Sequence, residues 1–145
     1  MKKFLLITLA LMLAACSSEF ARNQQTWTDA NVTHYRFELT IGCFCAFRSQ
    51  MPLTVEVLNG EVISMTGSDG SIITSGDAFY DTFVKYATID RLFSELEADL
   101  GGDADEVTAT YDATYGFPAQ INIDFIKQAV DDELYLSVSG FESLP

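Results

Sequence analysis

The chain has 145 residues, 48% of them hydrophobic, and sets 21 acidic side chains against eight lysines and arginines for a formal net charge of −13. That apolar content excludes a disordered chain, and the length suits one domain with a real core. The charge makes nucleic acid a poor partner and favours solubility, with attraction to a basic partner patch or weak binding of divalent cations as its more specific consequences.

Met1-Lys2-Lys3 precedes an apolar run from Phe4 to Leu13, which ends in Leu13-Ala14-Ala15-Cys16. Two lysines, a short apolar stretch and small residues before a cut describe a secretory signal over residues 1–15, too short to span a bilayer permanently. Small residues directly before a cysteine are similar to the processing site of bacterial lipoproteins. A plain signal cleavage beside an incidental cysteine is the blander alternative. The lipoprotein resemblance implies a mature chain starting at a lipidated Cys16, with Ser17 and Ser18 as a short tether and residues 19–145 as one domain. At about 0.8 kcal/mol per buried methylene, two or more acyl chains make attachment to the membrane practically permanent. Serine rather than aspartate after the cysteine implies the outer membrane, facing the periplasm, in a Gram-negative host. Loss of Lys2 and Lys3 leaves six basic residues against 21 acidic ones, a charge of −15 that repels anionic headgroups and leaves the holding to the fatty chains.

Within the domain, Glu19 to Asn31 carries Phe20, Trp27 and Ala30 at loosely helical spacing. Tyr35, Phe37, Leu39 and Ile41 then alternate with Arg36, Glu38 and Thr40, the period of a half-buried strand. Leu53 to Leu58 and Glu61 to Thr66 flank Asn59-Gly60, whose residue types suit the two positive-φ positions of a type I′ hairpin turn. The frame of that hairpin is ambiguous, because Val55, Val57 and Val62 suggest one buried face and Ile63 and Met65 the other.

Gly67 to Asp77, with three glycines, three serines and two aspartates, reads as a mobile surface loop. Phe79, Tyr80, Phe83 and Tyr86 are spaced for a short helical segment. Thr88 reads as an N-cap with Asp90 in the first turn, followed by Ile89, Leu92, Phe93, Leu96 and Leu100 at helical spacing and a Gly101-Gly102 stop. Val107 to Asp112, Ala119 to Phe125 and Leu134 to Ser139 read as three further strands. The expected architecture is α+β: an antiparallel sheet of about six strands with two main helices on one face, in the order helix, three strands, helix, three strands. That order hints at a duplicated unit.

With Cys16 lipidated, only Cys43 and Cys45 remain, in Gly42-Cys43-Phe44-Cys45. Were the strand to continue, their α-carbons would lie roughly 6.5 to 7 Å apart, at the long limit for a disulfide, so bonding requires a kink that Gly42 can supply. An oxidising envelope favours such a bridge, which would fix the end of the strand. The functional alternatives are thiol exchange, with Arg48 the nearest cation in sequence, or a thiolate pair for copper(I). Zinc lacks ligands, since the lone His34 does not complete a set of four. Asp112, Asp124, Asp131, Asp132 and Glu133 sit at strand ends. They read as solvated turns or, more specifically, as a weak calcium site at Asp131, Asp132 and Glu133, although the spacing of an EF-hand is absent. No nucleophile elbow, phosphate-cradling loop or zinc-protease helix is present, which points away from an enzyme.

The set Trp27, Tyr35-Arg36-Phe37, Cys43-Phe44-Cys45, Val55 and Val57 before Asn59-Gly60, Thr88 to Phe93, Tyr111-Asp112, Tyr115-Gly116-Phe117-Pro118 and Asp131-Asp132-Glu133 resembles a bacterial family of small, often lipid-anchored envelope proteins described only as a domain of unknown function. The resemblance covers nearly all of the mature chain and implies no activity, cofactor or catalytic residue. Tyr115 and Phe117 read as rings of an aromatic hairpin turn that cover the sheet edge, or as a partner-binding loop should both rings be exposed. The expected role is a lipid-anchored, non-enzymatic module for an envelope protein or a small ligand. The alternative is redox or soft-metal handling through Cys43 and Cys45.

Overall fold

A computed structural model describes residues 19–145; the leader, Cys16 and the serine tether lie outside the described residues. The chain runs through helix α1 (residues 19–30), strands β1 (His34–Gly42), β2 (Leu53–Leu58) and β3 (Glu61–Thr66), helices α2 (Tyr80–Val84) and α3 (Ile89–Leu100), and strands β4 (Glu106–Tyr111), β5 (Pro118–Asp124) and β6 (Leu134–Ser143). The strands form one sheet in the order β3-β2-β1-β6-β5-β4, with every neighbouring pair antiparallel. The α+β class and the helix, three-strand, helix, three-strand order follow the sequence periodicity, with the short α2 added.

Strand β1 shows why the sheet has one dry face. Tyr35, Phe37, Leu39 and Ile41 are buried while Arg36 and Glu38 are exposed, because successive strand residues point to opposite sides. Leu53, Val55 and Val57 of β2, Ile121 and Ile123 of β5, and Leu136 and Val138 of β6 extend the same dry face. Against it lie α1, through Phe20 and Trp27, and α3, through Ile89, Leu92, Phe93 and Leu96. Thr88 caps α3 as its spacing implies, its side chain accepting from the Arg91 N–H at 3.1 Å.

Four details differ from the sequence expectation or resolve it. Asn59 (φ 51°) and Gly60 (φ 81°) form the expected positive-φ turn, and a bulge then reconciles the two frames of the hairpin. Val57 pairs with Val62 and Glu56 with Ser64, so Ile63 is the extra residue, half exposed, while Val62 and Met65 both face the core. Strand β6 runs four residues past Ser139, because Gly140 adopts φ 57° where the pairing with β1 shifts register between Arg36 and Glu38. Residues 67–77 carry hydrogen-bonded turns: Asp69 accepts from the N–H and hydroxyl of Ser71, Asp77 accepts from the N–H and hydroxyl of Thr74, and Ile73 is buried.

The two halves are not copies. Laying β1–β3 over β4–β6 in this strand order demands a half-turn about an axis across the strands, which would carry the second helix to the opposite face. Both α1 and α3 cover the same face, since Phe20 meets Phe93 edge-on and the Trp27 indole N–H donates to Asp90 Oδ1 at 3.1 Å.

Candidate functional site

Cys43 and Cys45 follow the last residue of β1. The chain leaves the extended conformation there, bringing the α-carbons to 5.2 Å and the two sulfurs to bonding distance. Gly42 has a second reason to lack a side chain: its pairing partner Tyr135 lies so close that an added Cβ would meet the Tyr135 Cβ and ring at 3.2 Å. Both cysteines are half-buried against the core, whereas Phe44 between them is 80% exposed. The Arg48 guanidinium donates to the Cys43 carbonyl at 3.3 Å, so the nearest cation braces the loop backbone.

The acidic residues separate into two groups. Asp112 belongs to the β4–β5 turn, where its Oδ1 accepts from the N–H groups of Thr114 and Tyr115 at 2.9 and 2.7 Å. At the opposite end of that hairpin, Glu106 pairs with Asp124 across the strands, and the β5–β6 loop brings Asp132 and Glu133 alongside. A shallow depression of about 280 Å³ opens there on the bare side of the sheet, lined by Gly42, Thr108, Asn122, Tyr135 and the carboxylates of Glu106, Asp124 and Glu133. Asp124 Oδ1 and both carboxylate oxygens of Asp132 are shielded from solvent with no hydrogen-bond partner among the described residues. Desolvation, then the charges of Asp132, Glu133, Asp105 and Glu106, raise the Asp124 carboxyl above the usual carboxylate range. Lys127 lies at this end, where it is engaged by Glu106 at 3.1 Å and held by its backbone to Asp105. Among the described residues no three His, Cys, Asp or Glu side chains converge as a metal set.

His34 stands at the opposite end of β1. Its Nε2 lies 2.9 Å from Glu56 Oε1 and its Nδ1 2.9 Å from the Pro145 carbonyl oxygen. Acceptors at both ring nitrogens favour the imidazolium, so the Pro145 carbonyl first and the Glu56 carboxylate second raise its pKa above the ordinary histidine value.

The aromatic turn packs into the core. Phe117 is buried and Tyr115 half-buried, and both rings pack on Phe141 while Trp27 meets Phe117, Tyr35 and Phe141 edge-on. Exposure of both rings, the condition that would favour the partner-binding alternative, is absent at Phe117. Gly116, at φ 77°, lies against α1 with the Asn23 carbonyl oxygen 2.5 Å from where a Cβ would stand. Tyr35 reaches from the sheet to the other helix. Its hydroxyl accepts from the Ile89 N–H at 3.1 Å, and burial pushes its pKa up to about 12. Sequence reasoning missed the Tyr35–Ile89 and Trp27–Asp90 bonds, since partners 54 and 63 residues apart leave no periodic signal.

No curated protein and no solved structure matches the chain. A family model does match, over residues 19–143, which is nearly the whole described domain. The chain therefore belongs to the family of unknown function DUF6174.

Proposed function

We propose that this protein is a lipid-anchored component of the bacterial cell envelope whose domain is a non-enzymatic binding module, using the acidic end of its bare sheet face to meet a basic group on an envelope partner or a small cationic ligand. The observation that carries this reading is the depression around Asp124. Carboxylate oxygens without donors, gathered where they repel one another, are costly to keep and suit an incoming ammonium or guanidinium. The anchor is supported by the position of the Leu13-Ala14-Ala15-Cys16 segment, since the family domain begins three residues beyond the cysteine and would survive cleavage whole.

The test combines envelope fractionation with cross-linked capture by the tagged mature protein and by a D124N/E133Q variant. The reading expects an acylated Cys16 in the membrane fraction and capture that falls with salt and with the double substitution. Capture indifferent to both, or an unprocessed cytosolic chain, refutes it. The exposed Phe44 between the half-buried Cys43 and Cys45, beside Arg48, supports a second reading, thiol exchange or soft-metal handling. Replacing both cysteines by serine separates the two: lost stability with retained partner capture marks a structural bridge, while loss of a redox or copper response marks chemistry.

A further inference from the structure

We infer that the outer edge of β4 is a strand-addition site, at which an extended, basic segment of a partner protein pairs antiparallel as a seventh strand of the sheet. The inference rests on the basic partner proposed above and adds the way in which that partner binds. β4 ends the strand order, and its register with β5 shows which of its backbone groups are spare. The Asp105 N–H donates to the Phe125 carbonyl at 3.3 Å, one step beyond the Glu106–Asp124 pair. Hydrogen-bonded pairs alternate along antiparallel strands, so Val107 and Ala109 also turn their N–H and C=O groups toward β5, while Glu106, Thr108 and Thr110 turn theirs outward. Among the described residues no other strand pairs with those outward groups.

The two edges of the sheet differ. β3 carries the Ile63 bulge, and the chain beyond it folds back along its outer side, where Thr66 bridges Ile72 and the Met65 carbonyl accepts from the Ile73 N–H at 2.9 Å. Such cover keeps foreign strands off an edge. β4 has neither device: its run Glu-Val-Thr-Ala-Thr-Tyr holds no proline or lysine, and the extra residue in its pairing with β5 is Ala119, on the other strand. Depressions open on both faces beside it, and Thr108 borders each. On the helix side Leu100, Val107 and Ala109 line a largely apolar trough of about 210 Å³, while on the bare side Glu106 leads toward Asp124. An added strand points successive side chains to opposite faces, so apolar residues meet the trough and basic ones the carboxylates. Charge selects a basic partner over a second copy of this chain. Residues 92–126 contain no lysine or arginine, so self-pairing would bring two acidic edges together.

The test follows amide hydrogen exchange by NMR in full-length protein purified from envelopes in detergent, with an acetylated, amidated octapeptide alternating lysine and valine as the probe. At a probe concentration about ten times its dissociation constant, the amides of Glu106, Thr108 and Thr110 should exchange roughly tenfold more slowly. Residues directly opposite share a face, so the probe's lysines pair with these three. The same octapeptide N-methylated on each lysine's backbone nitrogen keeps its charge but loses the donors, and should give no protection. Thr108→Pro removes an outward N–H and leaves the bonds to β5 intact, so the fold should survive while protection by the probe is lost. Protection that never appears, or that survives N-methylation, overturns the inference. So does a doubled mass with β4 protected before the probe is added, which assigns the edge to a second copy. The D124N/E133Q variant separates this failure from that of the acidic depression. Probe binding that the double substitution abolishes, without β4 protection in the parent, removes the added strand alone. Protection indifferent to salt and to the substitution removes the acidic contact and with it the basic partner.

Discussion

Replacing Gly116 by alanine tests the packing of α1 on the sheet, because two costs fall on one atom. The residue holds φ 77°, where a Cβ costs about 1–2 kcal/mol for any L residue. That Cβ would stand 2.5 Å from the Asn23 carbonyl oxygen and 2.8 Å from Thr26 Cβ, so α1 must move, and overpacking of this kind adds about 1–3 kcal/mol. The sum is about 2–5 kcal/mol. Gly60 supplies the control: it has φ 81°, but nothing lies within 4 Å of its added Cβ, so Gly60→Ala bears the conformational cost alone. Urea unfolding of the mature domain, at constant m, should place G116A lower than G60A by about 1–3 kcal/mol. Equal losses in the two variants would refute the close approach of the β4–β5 turn to α1.

Other expectations follow from single contacts. Tyr35→Phe leaves the buried Ile89 N–H without its acceptor and should cost about 1–3 kcal/mol in the same assay, with the fold retained. His34 has a folded pKa above its unfolded value near 6.5, so its contribution is full below about pH 6.5 and is lost as pH rises through the folded value. The urea midpoint should fall across that window in the parent protein and stay flatter in H34Q. Asp124 is raised too, so its contribution is full below the unfolded carboxylate value and declines as pH climbs through the folded one. Asp124→Asn should accordingly raise the midpoint at pH 7 while weakening capture of a basic partner. Opening the Cys43–Cys45 bridge frees a loop so short that the chain-entropy loss is only about 1.5 kcal/mol, so C43S/C45S should remain folded and cooperative.

Much of the fold was legible because local rules and global burial agree. Tyr35 to Ile41 alternate in sequence and in burial, Asn59-Gly60 takes the φ pair that its residue types favour, and Thr88 caps the helix that its spacing marks. The misreadings fall where one residue does two jobs. The reading that ends β6 at Ser139 stops short because Gly140 carries the strand through a bulge, and the two frames of the hairpin are reconciled because Ile63 is the bulge that restores Met65 to the core. The candidate site was less legible. Asp112 and Asp124 look alike in sequence, but antiparallel pairing sends one to the capped β4–β5 turn and the other to the opposite end.

The sequence by itself determined the helical stripe of α3, the alternation of β1 and the Asn59-Gly60 turn, because each depends on side-chain period and turn chemistry within a few residues. Only the tertiary structure decided the rest: that β1 and β6 lie side by side at the centre of the sheet, that α1 and α3 share one face, and that Asp124 Oδ1 and the Asp132 carboxylate find no donor among the described residues. Those outcomes depend on which distant surfaces cover one another, and no local period encodes a choice between partners 50 or more residues away.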